Sequence, residues 1–305
     1  MLTKVALPVI RTRVFAANTE GGNPCPVIFQ GESLSESEMC EVAKHYMEET
    51  TFVFHSKVGA DVKLRYFVPE HEMEMCVHAT IASMTTLLQK EFLSHSTINV
   101  ETALGMIRVH GKKELDKSIQ ITVEQFLPAF IKNNPNIEEV AHALGIEATF
   151  IDLSVGPIQS VSTSRPKLII PLKDPDVLNN LTPNYQRLWD ICDQFGTTGF
   201  YPFSIDKDGL IVSTRQFPNR AGYNEDPATG VAASALGAYL TQHQVFRPFS
   251  DGWNSYQIRQ GYAMKKPSMI VSEVLIENGA ITRTQVKGKA FIESEEVFIF
   301  DRKYL

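Results

Sequence analysis

Three short stretches of this chain hold proton-active side chains at the edges of regular structure: Glu48-Glu49, Cys76-Val77-His78 and Glu225-Asp226. Glu48-Glu49 precedes the strand-like run from Thr50 to Phe54, where alternation sets Glu49 on the face of Thr51 and Val53, and Glu48 on that of Thr50 and Phe52. One of the two must turn away from solvent if the strand is to bury its apolar face. A buried glutamate has its pKa raised by desolvation, as a proton-transfer group near neutral pH requires, while an ordinary surface pair is the alternative. His78 precedes a run of small residues and is either a satisfied structural histidine or a functional group. Asp226-Pro227 reads as a helix start, since Asp caps and Pro suits the first helical position, so capping competes with a site role. Gly22-Asn23-Pro24 reads first as a turn.

Other chemistries find no support. There is no H-E-x-x-H, G-x-S-x-G, G-x-G-x-x-G or P-loop pattern, and Cys25, Cys40, Cys76 and Cys192 form no C-x-x-C pair. Neither a metal nor a cofactor is expected, and the thiols fit a reduced, cytoplasmic protein. Twenty-nine basic residues against thirty-five acidic ones, with no basic cluster, exclude nucleic acid and an anionic membrane as electrostatic partners. Small molecules are the expected ligands. The first residues alternate like a strand and meet Arg11 and Arg13 too soon for a signal core.

The elements that must position these groups show an internal repeat. Arg65, Phe67, Pro69, Ala79 and Thr80 recur as Arg215, Phe217, Pro218, Ala228 and Thr229, and each copy opens a run without charge, Ala79 to Leu88 and Ala228 to Leu240. A helix apolar or small on every side is one wrapped by other structure. Strands are expected at Val5–Phe15, Pro26–Phe29, Thr50–Phe54, Val62–Val68, Thr97–Val100, Met106–Val109 and Ser118–Val123. In the second half they are expected at Val161–Pro171, Gly199–Ile205, Leu210–Arg215, Ser268–Val274 and Ala280–Val286. Ser35–Met47, with Ser35 and Glu38 spaced as a capping box, Ile137–Leu144 and Asn184–Cys192 read as helices. The strands outnumber the helices without alternating one for one, which predicts an α+β fold of two similar domains, each a mostly antiparallel rolled, barrel-like sheet around a central helix. The prolines and asparagines between Leu127 and Asn136 place the boundary near residue 130: a half over 1–130, which a strand near 292–305 would complete, and a half over 131–291. If the halves face each other, two helix N-termini point into one cavity, and their free N–H groups predict an anionic substrate.

Seven ordered motifs carry a resemblance to a known family. They are Val14-Phe15 with Gly22-Asn23-Pro24, Glu49-Thr50-Thr51-Phe52-Val53, Arg65-Tyr66-Phe67-Val68-Pro69, Cys76-Val77-His78-Ala79-Thr80, Arg215-Gln216-Phe217-Pro218, Glu225-Asp226-Pro227-Ala228-Thr229-Gly230, and Gln260-Gly261 followed by Pro267-Ser268. Together they resemble the phenazine biosynthesis PhzF-like proteins, relatives of the diaminopimelate epimerases. The resemblance implies the diaminopimelate epimerase-like fold, metal-free and cofactor-free isomerase chemistry, an active site between the halves, and a homodimer. It implies Glu49 as acid/base, with His78 and Asp226 assisting, and a substrate lined by Asn23, Val77, Ala79, Thr229, Gly230 and Val231. Val77 stands where the family commonly has Gly and Val231 where it has Ser, which removes a hydroxyl but keeps the backbone N–H groups. No cysteine occupies the second helix start, so two-thiol racemisation is not expected and Cys76 is expected to be structural. A one-base epimerase, a lyase, or a binding protein without turnover are the competing readings.

Overall fold

The computed structural model describes residues 3–206, 211–246 and 250–302. Leu210 and residues 303–305, included in two of the expected strands, lie outside the described residues. In chain order the first elements are β1 (Thr3–Val14), β2 (Asn23–Ile28), α1 (Glu36–Tyr46), β3 (Thr50–Phe54), β4 (Val62–Phe67), β5 (Glu72–Met73), α2 (Val77–Gln89), β6 (Thr97–Thr102), β7 (Gly105–Lys113) and β8 (Ile119–Gln125). They are followed by β9 (Ala129–Phe130), α3 (Ile137–Leu144), β10 (Gln159–Ser162), β11 (Lys167–Pro171), α4 (Pro175–Asn179), α5 (Tyr185–Phe195), β12 (Gly199–Ile205), β13 (Ile211–Thr214), β14 (Phe217–Pro218), α6 (Gly230–Gln242), β15 (Gly252–Gln260), β16 (Ser268–Glu277) and β17 (Ala280–Arg302). The described residues divide into two compact units, one of 3–14, 24–123 and 288–302, the other of 15–23 and 124–287.

In the first unit the strands close on themselves. Pairing runs β1–β2–β3–β4–β6–β7–β8–β17 and back to β1, an eight-stranded barrel in which β2–β3 and β4–β6 are parallel. The helix α2 packs on β1, β3 and β7, strands from well-separated points of that ring, so it runs inside. Every residue from Val77 to Leu87 is buried, as its charge-free sequence demands. Outside the barrel, α1 lays Met39, Val42 and Ala43 on Leu7, Ile28, Phe52 and Phe67. Its start carries the expected capping box: Ser35 Oγ accepts from the Glu38 N–H while the Glu38 carboxylate accepts from the Ser35 N–H. Strand alternation in β3 holds as well, because Thr51 meets Ser83 of α2 at 3.4 Å while Phe52 packs outward under α1.

The second unit repeats the grammar. β11, β12, β13, β14, α6, β15 and β16 stand in the order of β2, β3, β4, β5, α2, β6 and β7, and the parallel pairs recur as β11–β12 and β13–β15. Here α6 packs on β10, β11, β15 and β16, and it is buried from Gly230 to Thr241. On the outer face α3 and α5 bury Val140, Leu144, Leu188 and Cys192 against Leu168, Ile170 and Phe200.

The repeated Arg-x-Phe signature fastens the segment that leads from a strand to its central helix. Arg65 grips Glu72 with Nε and a terminal nitrogen while its guanidinium lies 5.2 Å from the Phe67 ring centre. Arg215 grips Glu225 in the same way, 4.9 Å from the Phe217 ring centre, and also donates to the carbonyls of Leu178, Asn179 and Leu181. Glu225, a sequence candidate for chemistry, is therefore the partner of a buried arginine.

Several sequence expectations shift. Val161–Pro171 is not one strand but the antiparallel pair β10 and β11, because the polar run Thr163-Ser164-Arg165-Pro166 turns the chain. The central helices begin at Val77 and Gly230 rather than at Ala79 and Ala228. Asp226 is not a helix cap: Thr229 holds that position, and Pro227 lies before the helix. The strand β15 was not expected, and β17 runs far past Val286.

Candidate active site

Glu49 stands in the link between α1 and β3, on the barrel-inward side that strand alternation assigns to it. Its neighbour Glu48 takes the opposite side, where both its oxygens accept from Arg11 at 2.8 and 3.0 Å. Glu49 instead meets the start of α2. Its Oε2 accepts from the Cys76 thiol at 3.0 Å and lies 3.1 Å from Nδ1 of His78, and the Cys76 sulfur is 3.2 Å from that same nitrogen. The His78 side chain is 2% exposed and that of Glu49 is 13% exposed, so bulk water hardly screens the cluster.

Burial sets the protonation states. It holds His78 below its ordinary value, and the Glu49 charge only partly offsets this, so the imidazole is neutral near pH 7. A neutral imidazole facing a carboxylate oxygen keeps its proton on the facing nitrogen. Nδ1–H then donates to Glu49, and Nε2 is left as a buried acceptor with no hydrogen-bond partner among the described residues. Burial and the Glu49 charge push the Cys76 thiol well above its ordinary value, so it remains S–H.

Glu49, Cys76 and His78 offer three ligand atoms within 4.8 Å, enough to test as a metal centre. Two features favour shared protons instead. Ligand atoms on a tetrahedral zinc stand roughly 3.3–3.6 Å apart, wider than this cluster. A metal-binding imidazole also turns its other nitrogen to an acceptor, and the second nitrogen of His78 has none among the described residues.

The second unit builds a different constellation before α6. Asp226, 4% exposed, has both carboxylate oxygens engaged: Asn23 Nδ2 donates to Oδ1 at 2.6 Å and the Thr229 hydroxyl donates to Oδ2. That second bond explains why Thr229, although at the N-cap, makes no capping bond. Asn23 also donates to the Ala228 carbonyl at 2.9 Å. Gln260 ties the loop together, donating to the Asp226 carbonyl at 2.7 Å and to Thr229 Oγ1 at 3.0 Å while its own oxygen accepts from the Thr229 N–H and the Tyr201 hydroxyl.

The sequence candidates thus fall into two groups. Glu49 and His78 meet directly, with Val77 and Ala79 in the same helical turn, whereas Asn23, Asp226 and Thr229 meet one another, with Gly230 and Val231 opening α6. Neither helix N-cap receives a side-chain capping bond. Sequence reasoning missed the Cys76 thiol on Glu49 and the roles of Gln260 and Tyr201. One signal lay in Gln260-Gly261: Gly261 has φ of 82°, and a Cβ there would stand 2.6 Å from the Pro227 carbonyl oxygen, so only glycine lets the chain pass this loop.

The sequence model of the phenazine biosynthesis-like protein family matches residues 12–296. The chain belongs to that family. Within and around the phenazine biosynthesis-like family, it is 32% identical over 289 residues to an isomerase of Escherichia coli (strain K12), YddE, described as uncharacterized. That match covers 93% of this chain and 95% of the relative. It is 25% identical over 279 residues to the trans-2,3-dihydro-3-hydroxyanthranilate isomerase of Pseudomonas fluorescens, covering 90% of this chain and 92% of that one. The crystal structure of a PhzF-family phenazine biosynthesis protein from Bacillus anthracis superposes with a TM-score of 0.86 at 27% identity, covering 97% of this chain and all of that one. These relatives place the chain among isomerases of a mixed helix and sheet fold. No helix among the described residues is long and apolar enough to cross a membrane.

Proposed function

We propose that this protein is an isomerase that moves a proton within a small carboxylate-bearing cyclic or amino-acid-like metabolite by general acid/base catalysis without a cofactor. The observation that carries the reading is the Glu49 carboxylate, shielded from solvent and receiving hydrogen bonds from a neutral imidazole and a thiol. Such a group takes a proton from carbon and, after exchange with the little water that reaches it, returns one to another position. His78 holds the carboxylate and offers Nε2 as a second acceptor. Asp226 assists, and Asn23, Val77, Ala79, Thr229, Gly230 and Val231 line the substrate in this reading, on the strength of the family motifs. The uncapped N–H groups at the starts of α2 and α6 are anion donors, which suits a carboxylate. The relative from Pseudomonas fluorescens is named for such a substrate, a ring that bears a carboxylate.

The test is solvent-deuterium incorporation into trans-2,3-dihydro-3-hydroxyanthranilate and a panel of cyclic and acyclic amino acids. Glu49→Gln is expected to abolish incorporation while circular dichroism and melting stay near wild type. Undiminished exchange in that variant would overturn the assignment. One reading competes on a specific observation: Val231, 6% exposed at the start of α6, offers no hydroxyl there, as a binding protein without turnover would tolerate. Tight ligand retention with no exchange across the panel would establish it.

A further inference from the structure

We infer that Cys76 is a positioning residue for Glu49, its thiol hydrogen fixing the orientation of the carboxylate and favouring the ionised form. Three independent features converge. The first is geometry: Sγ lies 3.0 Å from Oε2, on the oxygen that also faces His78 Nδ1, so two donors define one edge of the carboxylate. A carboxylate held by two donors on one oxygen cannot swing about its last torsion without breaking both. The second is the place of Cys76 in the helix. It is the N-cap residue of α2, where Ser, Thr, Asp or Asn would bend back to accept a backbone N–H, yet its side chain makes no capping bond. Sulfur is a weak acceptor, and the Ala79 N–H that faces it only partly counters the upward push on the thiol. A capping bond would occupy only a lone pair, so the hydrogen at this position is available to Glu49 from a cysteine and equally from a serine. The third is burial: Cys76 is 5% exposed and remains a protonated donor over the working range.

Charged and titratable groups around Glu49 include members of β2, β1, α2 and the link itself. β2 supplies Cys25, whose sulfur is 3.7 Å from the Pro26 carbonyl, and whose own thiol is pushed up by burial and by Glu49. β1 supplies Arg11, which is bound to Glu48 in the link, and α2 supplies Cys76 and His78. Of the two neighbours on Oε2, His78 is held in the first turn of α2. Cys76 is the donor that a single-atom change removes.

The inference rests on Glu49 as the acid/base only for its kinetic arm. The deciding measurement is a carbon-13 NMR titration of the Glu49 side-chain carboxyl in protein labelled at glutamate, with the resonance assigned by its loss in Glu49→Gln. Cys76→Ala is expected to raise the titration midpoint of Glu49 by about half a unit to one unit, and Cys76→Ser to restore most of it, because an O–H replaces the lost donor. In turnover the acid limb of kcat/KM should move the same way, with kcat about tenfold lower and KM within about twofold. As an independent measurement, the infrared S–H spectrum of the wild type should contain a band displaced to lower frequency that vanishes in Cys76→Ala, separate from that of Cys25, whose thiol faces the Pro26 carbonyl. Identical Glu49 midpoints in wild type, Cys76→Ala and Cys76→Ser would overturn the inference, as would an S–H spectrum from which Cys76→Ala removes no displaced band. A protein with no isomerase activity on any substrate, yet with the expected NMR shift, would leave Cys76 in this role and defeat only the functional reading.

Discussion

His78 shows how one buried side chain writes itself into the behaviour of the protein. Burial depresses its pKa below the ordinary 6.5, so the unfolded state takes up its proton first as pH falls. The stability tied to a neutral His78 is fully present above about pH 6.5 and is lost as pH drops from there toward the depressed folded value. Urea unfolding at pH 7.5 and 5.5 should show a smaller difference for His78→Gln than for wild type. An equal difference in the two proteins would mean that His78 is not buried neutral. Asp226 illustrates the opposite solution: its carboxylate is satisfied by Asn23 and Thr229, so its loop is held by local donors.

At the scale of elements, the two central helices share a composition but not a packing surface. Gly237 lies inside α6, where alanine would gain about 1 kcal/mol in helix propensity. A Cβ at that position, however, would stand 2.2 Å from Ser272 Oγ and 3.0 Å from Ser272 Cβ. Overpacking of this kind costs about 1–3 kcal/mol, so Gly237→Ala is expected to lower the melting temperature, and Ser272→Ala added to it should recover part of the loss. If Gly237→Ala alone stabilises the protein, the approach of α6 to β16 is looser than described. Elements of this kind were readable in advance where one local rule decides: the capping box of α1, the alternation that sends Glu49 and Thr51 inward, the uncharged runs of α2 and α6. The break between β10 and β11 was hidden because β-branched residues flank a polar turn, and β15 because its outward positions are polar. The Cys76–Glu49 bond joins residues 27 positions apart across a strand and a helix start, and no local period encodes it. Gln260 was visible only as part of a motif, without the loop it ties.

For the whole molecule, β17 matters most. Residues 280–287 pair with β16 in the second unit, and residues from 290 on pair with β1, closing the ring of the first. A stop codon after Lys289 is expected to leave the amides of α6 protected from hydrogen exchange while those of α2 and β3 exchange quickly. Equal protection in both would show that the ring does not depend on its last strand. The same strand imposes an order on the birth of the protein. At about 5–20 residues per second the ribosome needs roughly 15–60 s to pass from β1 to the end of β17, so β1 has β2 beside it long before its second partner is made. The amino-terminal half, first to emerge, is thus the last to close. Until then it carries an open strand edge and an uncovered apolar helix, the surface on which a nascent-chain chaperone would act.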